Sequence, residues 1–209
     1  MKKMTRKLKL GVLASTRGTD LQAIIDAIES GGLDAEITIV ISNKKDAYAL
    51  ERARKHGIEE LFIDPSGKTR EEFDRVVSRE LDARGVELIA LIGYMRYLSR
   101  WFVNKYKNKI MNVHPSLLPA FAGGMDLNVH KAVLDRGCKV SGCTIHFVDE
   151  GADTGPIIIQ KPASIGENET VDTLRDKVQE LEKQAFVEAV QLFGEGKLKV
   201  EGRIVRISG

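Results

Sequence analysis

Two polar side chains at the end of an apolar segment are the first candidates for chemistry in this chain. Asn112 and His114 lie in the segment Ile110 to His114 (IMNVH), and Pro115 follows directly. Residues two apart on a strand point to the same face, and the proline ends the strand there. An amide donor and an imidazole, which exchanges protons near neutral pH, would therefore meet at one point. A histidine at a strand end is often only a packed or capping residue, so catalysis needs a second observation.

An acidic loop supplies that observation. Asp149 to Pro156 (DEGADTGP) lies between two apolar segments, and a carboxylate from this loop could hold a facing imidazole in its charged form. A solvated turn is the alternative, and it accounts well for Asp149 and Glu150.

The turn Ser15 to Asp20 (STRGTD) runs directly from an apolar segment into a helical pattern. Backbone N–H groups at a helix start bind anions, so a phosphate could lie over Arg17, Gly18 and Thr19. An ordinary turn with Thr19 as the helix N-cap explains the same residues, and both interpretations stay open.

Two familiar nucleotide motifs are not met. A dinucleotide site needs the pattern G-x-G-x-x-G and an acidic residue at the end of the second strand, but this turn has one glycine and the second strand ends at Ser42 and Asn43. Gly67 to Thr69 (GKT) fails as a P-loop because Phe62 stands where the first glycine belongs. We interpret the GKT segment as a helix start.

The other candidate side chains give weaker signals. Cys143 and His146 are three apart on one predicted strand and point to opposite faces, which disfavours a Cys-His nucleophilic pair. We interpret both as packing residues, and we assign no role to His130 or His56. Arg96 follows the fourth predicted strand beside aromatic and Met side chains that could line a slot for a flat ligand.

The elements that position these groups alternate along the first half of the chain. Short runs rich in Leu, Ile and Val predict buried strands: Lys7 to Ala14, Glu36 to Ser42, Glu60 to Asp64, Val86 to Gly93 and Ile110 to His114. Helical patterns lie between them: Leu21 to Ile28, Ala47 to His56 and Glu71 to Arg84, the last preceded by a capping box of Thr69 and Glu72. We therefore expect an α/β fold with a mostly parallel, doubly wound, Rossmann-like sheet.

The second half changes character. Pro115 to Asn128 has no period and predicts an irregular loop, whereas Val140 to Val148 and Pro156 to Ala163 predict two more strands, an antiparallel extension of the sheet. Val171 to Phe193 predicts a long helix, and Lys197 to Ile207 a terminal hairpin. We expect one domain over residues 1–209, with a phosphate-binding or nucleotide-binding half in 1–115 and a C-terminal half in 116–209.

Composition excludes several classes of function. The 32 basic and 30 acidic residues leave a net charge of +2 with no block of one sign, which argues against nucleic acid or a membrane as partner. Leu10 to Ala14 is too short for the core of a secretory signal, so we expect a cytoplasmic protein. Cys138 and Cys143 fit neither a disulfide framework nor a zinc site, and we expect no metal.

Together the segments resemble glycinamide ribonucleotide formyltransferase, the folate-dependent enzyme of purine synthesis. The resemblance covers nearly the whole chain: STRGTDLQAIIDAI, SNKKDAYALERARKHGI, TREEFD, IGYMRYLS, MNVHPSLLP and SGCTIHFVDEGADTGPIIIQ. The combination of NVHPSLLP with HFV and DTGP about forty residues later is highly specific for folate formyltransferases as a class.

Carried over position by position, the resemblance implies three sets of site residues. The catalytic set is Asn112, His114 and Asp153. The substrate set is Arg17, Gly18 and Thr19 for the phosphate, with Glu182 and, one helical turn earlier, Gln179 for the ribose and glycinamide end. The folate set is Arg70, Met95, Arg96, Tyr97, Leu98, Asn112, Val148, Asp149, Glu150, Gly151, Ala152 and Asp153.

Two departures from the family pattern affect the substrate side. The family has Gly where Thr16 stands and Asn where Arg17 and Asp20 stand, and an acid at Asp20 would repel phosphate unless Arg17 offsets it. The loop Gly123 to Val129 (GGMDLNV) is also longer than usual. Neither departure touches the catalytic set.

The mechanism implied is direct attack of the substrate amine on the formyl carbon of 10-formyltetrahydrofolate, the cosubstrate. Asn112 and protonated His114 would donate to the developing oxyanion, and Asp153 would keep His114 charged. Neither metal nor ATP is called for, and we expect a monomer or homodimer acting on glycinamide ribonucleotide and folate.

Three alternatives are weighed against this. Formyltetrahydrofolate hydrolase resembles the chain around the same trio but usually carries an N-terminal regulatory module, for which we expect no room before the first strand. Methionyl-tRNA formyltransferase adds a basic C-terminal domain. A non-catalytic nucleotide-binding module leaves Asn112, His114 and Asp153 unexplained together.

Overall fold

The computed structural model of this chain describes residues 6–123 and 128–208, and within them nine strands and six helices. In chain order the elements are β1 (Leu8–Ala14), α1 (Thr19–Glu29), β2 (Ala35–Ser42), α2 (Tyr48–Lys55), β3 (Glu60–Phe62), α3 (Arg70–Ala83), β4 (Leu88–Ile92), α4 (Arg100–Lys105), β5 (Ile110–His114), α5 (Val129–Asp135), β6 (Val140–Phe147), β7 (Ile157–Ser164), α6 (Val171–Gly194), β8 (Leu198–Glu201) and β9 (Ile204–Ile207).

The strands form one sheet in the order β3-β2-β1-β4-β5-β6-β7-β9-β8. Strands β1 to β5 pair in parallel, whereas β6 pairs antiparallel with both β5 and β7. The terminal hairpin β8/β9 adds to this extension. The predicted fold class, including the antiparallel extension and the C-terminal helix and hairpin, is confirmed.

Two hydrophobic cores cover the two faces of the sheet. Alternation along β1 directs Leu10 and Val12 into a core with α1 and α6, and Leu13 into a core with α3. A Cβ atom at Gly11 would lie 2.6 Å from Cδ2 of Leu81 on α3, so a side chain at this position would force Leu81 to shift. Close packing of helices on both faces holds the carboxyl ends of the central strands in a fixed position.

Two predicted helix starts have different outcomes. The Thr69 and Glu72 capping box is present, because the Thr69 hydroxyl accepts from Glu72 N and the Glu72 carboxylate accepts from Thr69 N. The interpretation of Thr19 as an N-cap is wrong. Gly18 is the N-cap of α1, with φ 67° and no side-chain hydrogen bond, because the chain turns there through the left-handed region that glycine adopts most easily.

The structure contains two short helices that the sequence patterns did not predict. Helix α4 begins after Ser99 and α5 after Asn128, and in each case the capping side chain accepts a hydrogen bond from the third residue of the helix. The segment from Pro115 is irregular as far as Gly123, as expected, and residues 124–127 of the longer loop lie outside the described residues. In the part that is described, no helix is long and apolar enough to cross a membrane.

Candidate active site

A pocket of about 420 Å³ opens at the carboxyl ends of β4 and β5. This is the place where open parallel sheets bind their ligands. Asn112 and His114 both line the pocket, as their spacing on β5 predicts. The lining also includes Arg70, Gly93 to Leu98, His146 and Val148 to Asp153.

His114 is buried and faces an acceptor at each ring nitrogen. Its Nδ1 lies 3.2 Å from Oδ2 of Asp153, and its Nε2 lies 2.9 Å from the carbonyl oxygen of Phe121. A carbonyl and a carboxylate both accept, so only the doubly protonated imidazolium satisfies both contacts. The geometry therefore favours a charged His114, as the sequence analysis predicts for this residue.

Asp153 reaches His114 from the loop between β6 and β7. Its backbone has φ 56°, a conformation that is uncommon for a residue other than glycine and that concentrates at functional sites. Burial by itself would raise the pKa of the Asp153 carboxyl. Hydrogen bonds with His114 and His146, the positive charge of His114 and the backbone N–H of Gly123 outweigh burial and hold this pKa far below its usual value. Asp153 is therefore ionised throughout the physiological range.

His146 also belongs to this cluster: it is buried, as a packing residue is, and it lines the pocket as well. Strand β6 pairs with β5 so that His146 lies opposite Asn112, and His146 Nε2 is 3.3 Å from Asn112 Nδ2 and 3.6 Å from Asp153 Oδ1. Its Nδ1 is 2.9 Å from the carbonyl oxygen of Phe147. Its Nε2 thus lies between the two groups: when protonated it donates toward Asp153 Oδ1, and when unprotonated it accepts from Asn112 Nδ2.

Asn112 completes the group. Its Nδ2 lies 3.5 Å from Oδ1 of Asp153, in addition to its contact with His146. The structure thus brings together Asn112, His114 and Asp153, the three predicted catalytic residues.

The first two acids of the loop have structural partners. Asp149 accepts from Gly151 N and from the Thr154 hydroxyl, and so closes a local turn. Glu150 pairs with Arg100 at 2.7 Å and accepts from Asn104. The solvated-turn interpretation therefore describes Asp149 and Glu150, and Asp153 is the loop acid that contacts His114.

The predicted folate residues all line the same pocket. They come from α3 (Arg70), the segment after β4 (Met95 to Leu98) and the loop after β6 (Val148 to Asp153). Met95 and Tyr97 are 43% and 46% exposed, which is unusual for large apolar side chains and leaves their surfaces free for a ligand. Their role in binding stays a prediction.

The predicted phosphate turn does not line this pocket, although it is joined to it. The Ser15 hydroxyl accepts from Met95 N at 2.8 Å, and Ser15 N donates to the Gly93 carbonyl. The Arg17 side chain is exposed, and among the described residues it has no hydrogen bond or ion pair, while its carbonyl accepts from Arg52 on α2. Arg17 is thus free to contact a ligand over the turn.

Asp20 is placed differently from the expectation that Arg17 offsets it. Its side chain is 4% exposed and packs inward, and its Oδ1 has no hydrogen-bond partner among the described residues. Burial raises the pKa of Asp20 to about 6, and Lys183 on α6 is the cation that lowers it. Lys183, and not Arg17, is therefore the cation that offsets the charge of Asp20.

Glu182 lies in the same interior between α1 and α6. It is 7% exposed, and burial together with the charge of Asp20 raises its pKa to about 8. Gln179, one turn earlier on α6, is half-buried. Neither residue lines the pocket that contains His114.

Within the described ranges no group of three His, Cys, Asp or Glu side chains is placed to hold a metal ion. Cys138 and Cys143 are free thiols there, and burial, followed by the charge of Glu182, raises the pKa of Cys143 to about 12. Such a thiol stays protonated and is a poor nucleophile.

Comparison with known proteins identifies the family to which this chain is similar. Residues 8–190 match the formyl transferase family. The chain is 37% identical over 202 residues to a phosphoribosylglycinamide formyltransferase of Haemophilus influenzae, an alignment that covers 96% of this chain and 94% of the relative. A crystal structure of glycinamide ribonucleotide transformylase 1 from Symbiobacterium toebii superposes with a TM-score of 0.94 at 42% identity, covering 100% of this chain and 98% of that one.

Some relatives are much longer. The trifunctional purine biosynthetic protein adenosine-3 of Gallus gallus is 45% identical over 197 residues, which are 94% of this chain and 19% of that protein. The chain therefore spans about a fifth of the length of this relative.

Proposed function

This chain belongs to the formyl transferase family, and on that premise we propose that it transfers a formyl group from 10-formyltetrahydrofolate to the amine of glycinamide ribonucleotide in purine biosynthesis. The single observation that carries the proposal is the contact of His114 with Asp153 beside Asn112, in a pocket at the end of β5.

The transfer begins when the lone pair of the neutral substrate amine forms a bond with the formyl carbon. The carbonyl π electrons move to oxygen, and Asn112 Nδ2 and an N–H group of His114 donate hydrogen bonds to this oxyanion. The bond between the formyl carbon and the folate nitrogen then breaks, and that nitrogen takes up a proton while the attacking amine loses one. The atoms balance without a covalent enzyme intermediate, a metal or ATP.

His114 must release one of its present contacts to act in this way. Its Nε2 faces the carbonyl of Phe121, a residue with φ 56°. The substrate oxyanion would replace this neutral carbonyl as acceptor, and the exchange favours the charged acceptor. Asp153 keeps the other nitrogen engaged throughout.

Binding of the two substrates divides between two places. We assign the phosphate of glycinamide ribonucleotide to Arg17, Gly18 and Thr19 at the start of α1, and its ribose and glycinamide end to Gln179 and Glu182. We assign the folate to the pocket residues Arg70, Met95 to Leu98 and Val148 to Asp153. Since the folate residues come from both sides of residue 115, the two halves of the domain build the folate site together.

The partners implied are small molecules, with folate as the only cosubstrate. We propose a cytoplasmic protein that needs neither nucleic acid nor a membrane and works as a monomer or homodimer.

The proposal is tested by mixing the protein with glycinamide ribonucleotide and 10-formyl-5,8-dideazafolate and following the absorbance of the deformylated product. Product that forms only when both substrates are present supports transfer. Product that forms at the same rate without glycinamide ribonucleotide identifies a hydrolase, and no product in either case leaves a non-catalytic binding module.

His114→Ala separates catalysis from binding. Because the imidazole acts mainly on the transition state, we expect kcat to fall about 10²–10³-fold while the deformylated folate analogue binds normally. His56→Asn, which alters a surface pair with Glu29, serves as the control. Full activity in a folded His114→Ala protein contradicts the assignment.

A further inference from the structure

Three buried polar atoms lack a hydrogen-bond partner beneath the pocket. Among the described residues they are Oδ1 of Asp74, the hydroxyl of Tyr94 and Nε of Arg96. Arg96 lies against the ring of Phe73, the residue next to Asp74, and the Asp74 carboxylate interacts electrostatically with Arg96, Arg70 and the Tyr94 hydroxyl, so the three groups are neighbours. Since buried polar groups in native proteins are nearly always paired, such a cluster calls for a reason.

Asp74 connects α3 to the segment Gly93 to Ser99, which we call the pocket loop. Its side chain is 1% exposed, and its Oδ2 accepts from Ser99 N at 2.5 Å, where the pocket loop ends and α4 begins. A short bond between a buried carboxylate and a backbone N–H fixes the end of the loop against the helix. The other oxygen, Oδ1, remains available for attraction to Arg96.

The Arg96 side chain packs against α3, the same helix that carries Asp74. Its guanidinium carbon lies 4.4 Å from the centroid of the Phe73 ring, and Phe73 precedes Asp74 on α3. The aromatic face and the neighbouring carboxylate both attract a cation, so α3 restrains the arginine from two directions. Arg96 also lines the pocket, which means that this restraint acts on a group in contact with the ligand space.

From this arrangement we infer that Asp74 is a positioning residue, which holds the pocket loop and the Arg96 guanidinium in the geometry that binds the formyl donor. The inference rests on the proposed function for the identity of the ligand. Asp74 itself does not line the pocket, so it acts through Ser99 and Arg96.

A simple charge effect predicts the opposite result. Removing the negative charge of Asp74 makes the pocket more positive, and electrostatics alone would tighten the binding of an anionic folate. A positioning role predicts weaker binding, because an unrestrained Arg96 must be ordered when the ligand binds. The sign of the change therefore separates the two explanations.

The variant for this test is Asp74→Asn, whose amide oxygen can still accept from Ser99 N. We expect the KM for 10-formyl-5,8-dideazafolate and the dissociation constant of the deformylated analogue to rise about fivefold to tenfold, with kcat and the KM for glycinamide ribonucleotide little changed. Glu71→Gln removes the same charge from an exposed site on α3, where Glu71 pairs with Arg75, and should leave all constants unchanged.

A double-mutant cycle shows whether Asp74 acts through Arg96. In an Arg96→Met background, Asp74→Asn should no longer weaken analogue binding, whereas a general loosening of the fold would add to the Arg96→Met effect. Unchanged or tighter binding in Asp74→Asn overturns the inference. A parent protein that does not bind the analogue refutes the proposed function instead.

A measurement on the parent protein covers the case in which Asp74→Asn does not fold. The Nε–H NMR signal of Arg96, identified by its loss in Arg96→Met, should exchange slowly with water near neutral pH. Fast exchange would mean that the guanidinium is unrestrained and would overturn the inference.

Discussion

Asp153 illustrates how an irregular loop can control a residue on a strand. Its carboxylate is contacted by His114, His146, Asn112 and the backbone N–H of Gly123. These contacts offset both the burial of a charge and the left-handed backbone of this residue. A carboxylate held in this way stabilises a charge on His114 without large movement during the reaction.

Asp153→Asn should therefore lower kcat by about 10²-fold or more, since a neutral amide no longer stabilises the imidazolium. The KM values should change little. Glu150→Gln, in the same loop, removes a carboxylate that pairs with Arg100, and it should retain kcat, while any change should appear in the folate KM because Glu150 lines the pocket. Initial rates with both substrates measure this, and equal losses in the two variants would show that the charge of the loop matters rather than the contact with His114.

Arg17 gives a prediction for the substrate phosphate. Because its side chain is exposed and unpaired among the described residues, Arg17→Ala should raise the KM for glycinamide ribonucleotide about tenfold and leave kcat and the folate KM unchanged. Asp20→Asn should not restore the loss, since Asp20 is buried near Lys183. Arg206→Ala in the terminal hairpin is the control. A normal KM would mean that backbone N–H groups hold the phosphate alone.

The sequence predicts some site residues better than others, for a physical reason. The spacing of Asn112 and His114 puts them on one face of the same strand, so their proximity could be predicted from the local sequence. His146 joins them only because β6 pairs with β5 in a particular register, and local alternation does not reveal which strands are neighbours. The same holds for Asp20, whose burial depends on the packing of α1 against α6.

At the scale of elements, length decides what can be predicted. The strands β1, β2 and β5 and the helices α3 and α6 are long or strongly apolar, and the sequence predicts each to within a few residues. Helices α4 and α5 have six and seven residues, too few to repeat an apolar stripe. They depend on the caps Ser99 and Asn128 and on tertiary packing for their stability.

Gly155 allows the loop between β6 and β7 to pack closely against β6. A Cβ atom at Gly155 would lie 1.8 Å from the carbonyl oxygen of Phe147, so any side chain forces the loop away from β6. Gly155→Ala should lower the free energy of unfolding by about 2–3 kcal/mol and reduce kcat, because Asp153 moves with the loop.

Gly202→Ala is the matched control for this change. Gly202 has φ 62° in the hairpin turn, and among the described residues, apart from Gly202 and its two chain neighbours, no heavy atom lies within 4 Å of an added Cβ. The cost should therefore be about 1 kcal/mol with normal activity. Denaturant unfolding and initial rates measure both variants. Equal losses of unfolding free energy in Gly155→Ala and Gly202→Ala would show that the loop can move away from the Phe147 carbonyl at little cost.

For the whole molecule, the position of the site follows from where the sheet changes direction. Strands β4 and β5 end their parallel pairing at the pocket, and β6 returns antiparallel beside β5, which brings His146 and the Asp153 loop to the same edge. The pocket therefore forms only when both the parallel half and its extension are folded. The strand order that places β6 beside β5 was not evident from the sequence, although the alternation of strands and helices indicated the parallel half.

Two buried carboxyl groups impose an electrostatic cost on the interior between α1 and α6. Asp20 and Glu182 are both buried and their charges repel each other, so the folded protein binds protons at these sites more tightly than the unfolded chain does. When folding raises the pKa of a carboxyl group, the folded protein loses stability as the pH rises from the pKa of that group in the unfolded chain to its pKa in the folded protein. For Glu182 this window runs from about 4.5 to about 8.

Glu182→Gln should remove that loss. Below the window both proteins carry a neutral group at position 182 and should unfold at similar temperatures, whereas at pH 9 the variant should be more stable by about 1–3 kcal/mol, or several degrees in Tm. Glu188→Gln alters a half-exposed carboxylate that lies on α6, like Glu182, and pairs with Lys161 of β7, and it should not change the slope. Thermal unfolding between pH 5 and pH 9 tests this, and parallel curves for the parent and Glu182→Gln would mean that Glu182 is ionised in the fold and stabilised by a partner.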